Sequence, residues 1–104
     1  MDQTEALGKA RQYTRLVRDY LGIRKAVLFG SYAEGVSDTW SDIDVGLFVD
    51  KLDVKDDYLT VMSKLYELTE RIDVRIEPHL FVAGEDISGF SLHIEKVGLA
   101  IGEE

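Results

Sequence analysis

Residues 26–49, AVLFGSYAEGVSDTWSDIDVGLFV, constrain the fold more than any other part of the chain. The pattern predicts a strand, a tight turn with a short helical turn, a loop and a second strand. Asp42 and Asp44 lie two residues apart in this second strand, so their carboxylates project from the same face of a sheet. The apolar residues that alternate with them project from the opposite face: Ile43, Val45, Leu47 and Val49.

A small residue and a hydroxyl, Gly30 and Ser31, follow the first apolar run directly. A turn at this point offers backbone N–H groups to an anion, and the glycine allows a phosphate to approach closely. Either motif alone would usually be an ordinary turn or a solvated strand. Two strands that place the turn beside the aspartate pair would form a site for a metal-bound anion.

A second alternating segment, residues 71–77, predicts a third strand that Pro78 ends. Asp73, Arg75 and Glu77 would share its polar face. If this strand lies next to the one that carries Asp42 and Asp44, the two polar faces merge into one site. The sequence leaves Arg75 either to neutralise Asp73 or to contact a bound triphosphate.

The rest of the chain predicts an α+β fold, with a mixed sheet of three to four strands packed on helices. The first strand has a run of apolar residues typical of burial on both faces and hence of a central position. The expected helices cover residues 4–21, 54–70 and 88–96, the first strand covers residues 24–29, and a short strand or tail covers residues 99–101. The inner side of the second long helix is expected to carry Leu59, Met62, Leu65, Tyr66 and Leu68 or Thr69.

Length and composition restrict the classes of function. We expect residues 1–104 to form a single domain. The chain has no cysteine, which excludes a thiolate metal site or nucleophile. A net charge of −8 disfavours binding of a long polynucleotide and suits divalent cations or a basic partner. We expect a cytoplasmic protein, since no signal peptide or membrane-spanning segment is visible.

Three aromatic or imidazole side chains are interpreted as structural. His79 and His93 have no spacing typical of a zinc site, so we expect both to be structural or surface residues. Trp40 lies among small polar residues and is expected to anchor its loop on the sheet.

The Gly30-Ser31 pair, ten intervening residues and Asp42-Ile43-Asp44 together resemble the signature of the polymerase-beta-like nucleotidyltransferases. The short chain is similar to their minimal prokaryotic branch, the minimal nucleotidyltransferases. The segment around Asp73 matches the later strand that carries the family's third carboxylate, so the resemblance covers nearly the whole chain.

This resemblance implies a catalytic role for each matching residue. Asp42, Asp44 and Asp73 would hold two Mg²⁺ ions, and Gly30 and Ser31 would hold the β and γ phosphates of ATP. The expected reaction transfers AMP to a hydroxyl group and releases pyrophosphate. In the minimal branch the usual partner is a helical HEPN protein, often a toxin, and the nucleotidyltransferase acts as its antitoxin, in some members by AMPylating a tyrosine of the toxin.

One departure from the family keeps other functions open. Relatives commonly carry a basic residue at the position of Glu34, whereas no lysine or arginine occurs from Gly30 to Asp44. The phosphate contact would then fall to Arg75, Lys25 or a partner. The alternatives are a binding module that neutralises a partner by contact alone, and a small-molecule nucleotidyltransferase of the antibiotic-modifying type assembled as a homo-oligomer.

Overall fold

A computed structural model describes residues 1–53, 57–85 and 88–102. The elements follow one another as α1 (Gln3–Tyr20), β1 (Lys25–Phe29), α2 (Ser31–Glu34), β2 (Ile43–Val49), α3 (Tyr58–Thr69), β3 (Ile76–Val82), α4 (Phe90–Val97) and β4 (Leu99–Ala100). The predicted α+β class is confirmed. The predicted start of the second long helix near residue 54 lies outside the described residues.

The four strands form one mixed sheet in the order β3-β2-β1-β4. Strand β1 runs antiparallel to both β2 and β4, and β2 runs parallel to β3. Strand β1 therefore occupies the central position that its apolar run predicted, and all but its first residue are buried. The parallel pairing of β2 with β3 brings together the strands that carry the polar residues.

Helices α1 and α3 cover one face of the sheet and enclose the main core. Asp2 caps α1 by accepting a 2.8 Å hydrogen bond from the backbone N–H of Glu5, as serine, threonine and aspartate do at helix starts. The buried residues of α1 form one stripe: Ala6, Ala10, Tyr13, Thr14 and Val17. The hydroxyl of Tyr13 donates a 2.8 Å hydrogen bond to the carbonyl of Leu65, which ties α1 to α3.

The opposite face of the sheet carries a smaller apolar cluster under α4. It consists of Val27, Phe29, Phe48 and Ile94, with Phe81 packed against them. Gly46 lies under this cluster, where a Cβ would lie 3.4 Å from the rings of Phe48 and Phe81, in van der Waals contact with them. The face from which Asp44 projects is therefore apolar under α4 and polar only at one end.

The third strand differs from its prediction. Residues 71–75 precede the strand, which begins at Ile76 and continues through Pro78 to Val82. Pro78 is compatible with this strand because β3 lies at the edge of the sheet, where an imino nitrogen without a hydrogen need not pair. The prediction that Pro78 ends the strand was wrong.

Two packing predictions also need correction. The inner face of α3 contains Val61, Leu65, Leu68 and Thr69, whereas Leu59 is 77% exposed and Tyr66 also faces solvent. Trp40 is 89% exposed and does not anchor its loop on the sheet. No helix among the described residues is long and apolar enough to cross a membrane.

Candidate functional site

The site is built around Asp44 on β2. This residue pairs with Phe29 of β1 on one side and with Glu77 of β3 on the other. Because directly paired residues of neighbouring strands project from the same face, the carboxylates of Asp44 and Glu77 lie side by side. The same alternation along β3 brings His79 to this face.

His79 is the third residue of the cluster, beside Asp44 and Glu77. Its Nε2 donates a hydrogen bond of 3.2 Å to Oδ1 of Asp44 and lies 4.0 Å from Oε1 of Glu77. The imidazole packs edge-on against the ring of Phe29, with 4.9 Å between the ring centroids. One donor atom from each of Asp44, Glu77 and His79 lies within 4.8 Å of the other two, a separation that one cation could bridge.

The backbone of Gly30 lies directly against the carboxylate of Asp44. Gly30 has φ 76° and ψ −155°, a conformation that residues with a side chain rarely adopt. A Cβ at this position would collide with Oδ2 of Asp44. The glycine that begins the turn at α2 is therefore required both by its φ angle and by its close approach to the carboxylate. The predicted proximity of turn and aspartate is present.

Glu77 reveals the electrostatic character of the cluster. Burial raises the pKa of Glu77, and a hydrogen bond to Asp42 and the charges of Asp44 and Asp42 raise it further, against the opposing effect of His79. Asp42 precedes β2 and is exposed, and the next residue, Ile43, donates its backbone N–H to the carbonyl of Arg75 at 2.9 Å. Three carboxylates thus repel one another at the end of β2 and β3. Such repulsion is relieved by a bound cation.

Asp73, the predicted third ligand, has a different environment. It lies before β3, and its carboxylate accepts hydrogen bonds from Lys9 at 2.5 Å and from the guanidinium of Arg75 at 2.7 and 3.0 Å. These contacts, those of Arg75 above all, hold the pKa of Asp73 well below its usual range. In this structure Arg75 neutralises Asp73, which is one of the two roles that the sequence left open.

The structure therefore brings together Asp42, Asp44 and Glu77 with His79, and places Asp73 in a separate ion pair. Sequence reasoning placed Glu77 on the polar face of this segment without assigning it as a ligand, and it did not include His79 among the candidate site residues. The alternation of side chains along a strand could have identified both residues, because Glu77 and His79 lie two positions apart and therefore share a face of β3.

A cleft lies next to the Gly30 turn, between α2 and α4. Its volume is about 260 Å³, and it is lined by Phe29, Gly30, Ala33, Glu34, Phe90, His93, Ile94 and Val97. The first N–H groups of α2 lack partners within that helix, as at every helix start. The cleft therefore joins an apolar wall to the turn at which α2 begins.

The donor set of the cluster fits a divalent metal ion. Two carboxylates and one imidazole, with a third carboxylate beside them, match the oxygen and nitrogen ligands that such ions take in proteins. A metal there would offset the repulsion that raises the pKa of Glu77. The backbone at Gly30 is close enough to Asp44 for one ligand to contact both.

Comparison with known proteins identifies the family and the fold. The sequence profile described as polymerase beta, nucleotidyltransferase matches residues 12–82, which include α2, β2 and the whole of β3. The fold is similar to the crystal structure of a candidate nucleotidyltransferase from Sulfolobus solfataricus, with a TM-score of 0.64 and 19% sequence identity. That alignment covers 94% of this chain and 80% of the other. No curated protein sequence matches this chain.

Proposed function

Because this chain belongs to the polymerase beta nucleotidyltransferase family, we propose that it transfers AMP from ATP to a hydroxyl group in a reaction that depends on a divalent cation. The hydroxyl oxygen attacks the α-phosphorus and its proton is released to solvent, while the bond from the α-phosphorus to the oxygen that bridges it to the β-phosphorus breaks and pyrophosphate leaves with that electron pair. The single observation that carries the proposal is the contact between the Gly30 turn and the carboxylate of Asp44.

The acidic residues would act through bound Mg²⁺. Two such ions stabilise the attacking and the leaving oxygen of an in-line displacement. Asp42 and Asp44 are the proposed ligands, as the sequence predicts. We assign the third carboxylate to Glu77, supported by its pairing with Asp44. Asp73 could join them only by leaving the cations that bind it.

The Gly30 turn would hold the triphosphate. Backbone N–H groups of Ser31 and the following residues are suited to phosphate oxygens, and the glycine removes the side chain that would block them. Arg75 can contact a triphosphate only by giving up part of its two-pronged contact with Asp73. We therefore give Arg75 primarily a positioning role.

The proposed acceptor is a tyrosine of a HEPN partner, which would make the chain an antitoxin. This finer proposal rests on the resemblance to minimal nucleotidyltransferases. It is supported by two exposed apolar residues in the loop before Asp42, Val36 and Trp40, which are available for contact with a partner. A surface of this kind would let a protein substrate dock beside the carboxylates.

One observation favours the alternative of a binding module without catalysis. The cations that could replace the family's basic residue at Glu34 are already engaged. Arg75 is bound to Asp73, and Lys25 lies 3.5 Å from Glu95. Nucleotide binding would then need a cation from the partner, or the chain would neutralise the partner by contact alone.

The decisive experiment uses the protein, Mg²⁺, labelled ATP and the product of the neighbouring reading frame. We expect the partner to gain the mass of one or more adenylyl groups, and to gain none with Asp44→Asn. A tight complex that forms without label transfer, and that Asp44→Asn leaves unchanged, would instead establish the binding module.

A further inference from the structure

We propose that His79 is a nitrogen ligand of the metal centre and makes it select Mn²⁺ over Mg²⁺. This inference deepens the proposed function and rests on it, because it concerns the ion held by Asp44 and Glu77. The carboxylates of the family account for a magnesium site. They do not account for an imidazole whose Nε2 lies between two of them.

The distances suit one shared ion. Ligands at about 2.1 Å from a metal are separated by about 3.0 Å when adjacent in an octahedron and by about 4.2 Å when opposite. Nε2 of His79 lies 3.2 Å from Asp44 and 4.0 Å from Glu77. The three donor atoms therefore need to move by less than about 1 Å to bind a single cation. The metal would replace the proton that His79 now donates to Asp44.

The fold holds the imidazole in place. His79 lies on β3 one residue after Pro78, whose ring restricts the backbone. The ring of Phe29 contacts the imidazole from β1, the strand on the far side of β2. Restriction of the ring before metal binding lowers the entropic cost of ligation. A surface histidine without such contacts would not be restricted in this way.

The chemistry of the donors determines the preference. Mg²⁺ favours oxygen ligands and keeps much of its water, whereas imidazole suits first-row transition metals. A set of two carboxylates and one imidazole therefore shifts selectivity away from Mg²⁺. Mn²⁺ accepts both donor types and shares the octahedral preference of Mg²⁺. It could replace Mg²⁺ without a change in the reaction.

The test measures metal binding directly, with Mn²⁺ as the probe, first alone and then with a non-hydrolysable ATP analogue. Electron paramagnetic resonance of the wild-type protein should show bound Mn²⁺ with a nitrogen coupling. The coupling should disappear in His79→Asn and persist in the matched control His93→Asn. In competition, the Mg²⁺ concentration that displaces half of the Mn²⁺ should fall about tenfold or more in His79→Asn only. Thermal unfolding of each variant shows that it is folded.

The outcomes separate this inference from the proposed function. Bound Mn²⁺ without nitrogen coupling, or with a coupling that survives His79→Asn, overturns the role of His79 and leaves nucleotidyl transfer intact. No bound Mn²⁺ in the wild type under either condition overturns both. Nitrogen coupling that is specific to His79 supports the inference even if no adenylyl transfer is observed, so the two proposals fail separately.

Discussion

Asp73 and Glu77 lie four positions apart in the sequence, and different neighbours surround their carboxylates. Asp73 is enclosed by Lys9 and Arg75, and its pKa is lowered. Glu77 lies beside two further carboxylates, and its pKa is raised. The sequence places both on one alternating segment. The difference indicates that the first carboxylate stabilises the fold, whereas the second belongs to a cluster that a metal ion would complete.

The largest expected effect comes from Asp44→Asn. Asp44 is a proposed metal ligand, and its carboxylate also contacts the Gly30 turn. Its loss should lower the rate of adenylyl transfer by about 10³-fold, which corresponds to several kcal/mol of charge stabilisation. The free energy of unfolding should stay the same or rise, since one repelling charge is removed. Single-turnover transfer assays and urea unfolding measure the two quantities. If Asp44→Asn lost stability but kept its rate, Asp44 would stabilise the fold and would not bind the catalytic metal.

Gly30→Ala should affect both activity and stability. The new methyl group must collide with Asp44, and the positive φ adds strain, so we expect a loss of about 1–3 kcal/mol in unfolding free energy. The matched control is Gly35→Ala. Gly35 has a similar φ of 74°, but nothing lies within 4 Å of an added Cβ. Equal losses of metal binding in both variants would show that the contact with Asp44 has no role.

Asp73→Asn should mainly reduce stability. The carboxylate is 9% exposed and accepts charged hydrogen bonds from Lys9 and Arg75, so its loss should cost about 1–2 kcal/mol after allowance for the exposure of both cations. Chemical denaturation measures this loss, and Mn²⁺ titration should be unchanged. If the variant loses metal binding as completely as Glu77→Gln, then Asp73 is the third metal ligand after all.

The smallest expected effect is a difference in pH dependence. Because the pKa of Asp73 is lowered in the fold, its stabilisation is present above its unfolded pKa and is lost as the pH falls below about 4. Because the pKa of Glu77 is raised, protonation relieves repulsion, and its favourable contribution is lost as the pH rises through the folded pKa. Between about pH 2 and 4 the free energy of unfolding should rise less steeply with pH in Asp73→Asn than in the wild type, and above about pH 4 it should fall less, or rise more, with pH in Glu77→Gln. If both substitutions changed the slope of unfolding free energy against pH in the same direction, the assignment of opposite pKa shifts to Asp73 and Glu77 would be contradicted.

The central part of the fold could be predicted from the sequence because its patterns are local. The periodicity of α1, the apolar run of β1 and the alternation of Asp42, Asp44 and their neighbours each follow from one segment. The contact between Gly30 and Asp44 also follows, since two adjacent strands must bring their ends together.

The third acidic residue could not be predicted in the same way. Alternation alone fits residues 71–77 as well as 76–82, and the pairing of β3 with β2 decides between them. Pro78 pointed to a strand end because the edge position of β3 is visible only in the assembled sheet. The ion pair between Lys9 and Asp73 joins residues that are 64 positions apart, which no local pattern reveals.

Pro78 has a consequence for assembly. The outer border of an edge strand offers a row of unpaired backbone donors to any other chain, and an internal proline removes one of them. A second copy could not continue the ladder without interruption past the midpoint of β3, next to Glu77 and His79. This rim of the molecule is therefore a poor template for strand addition.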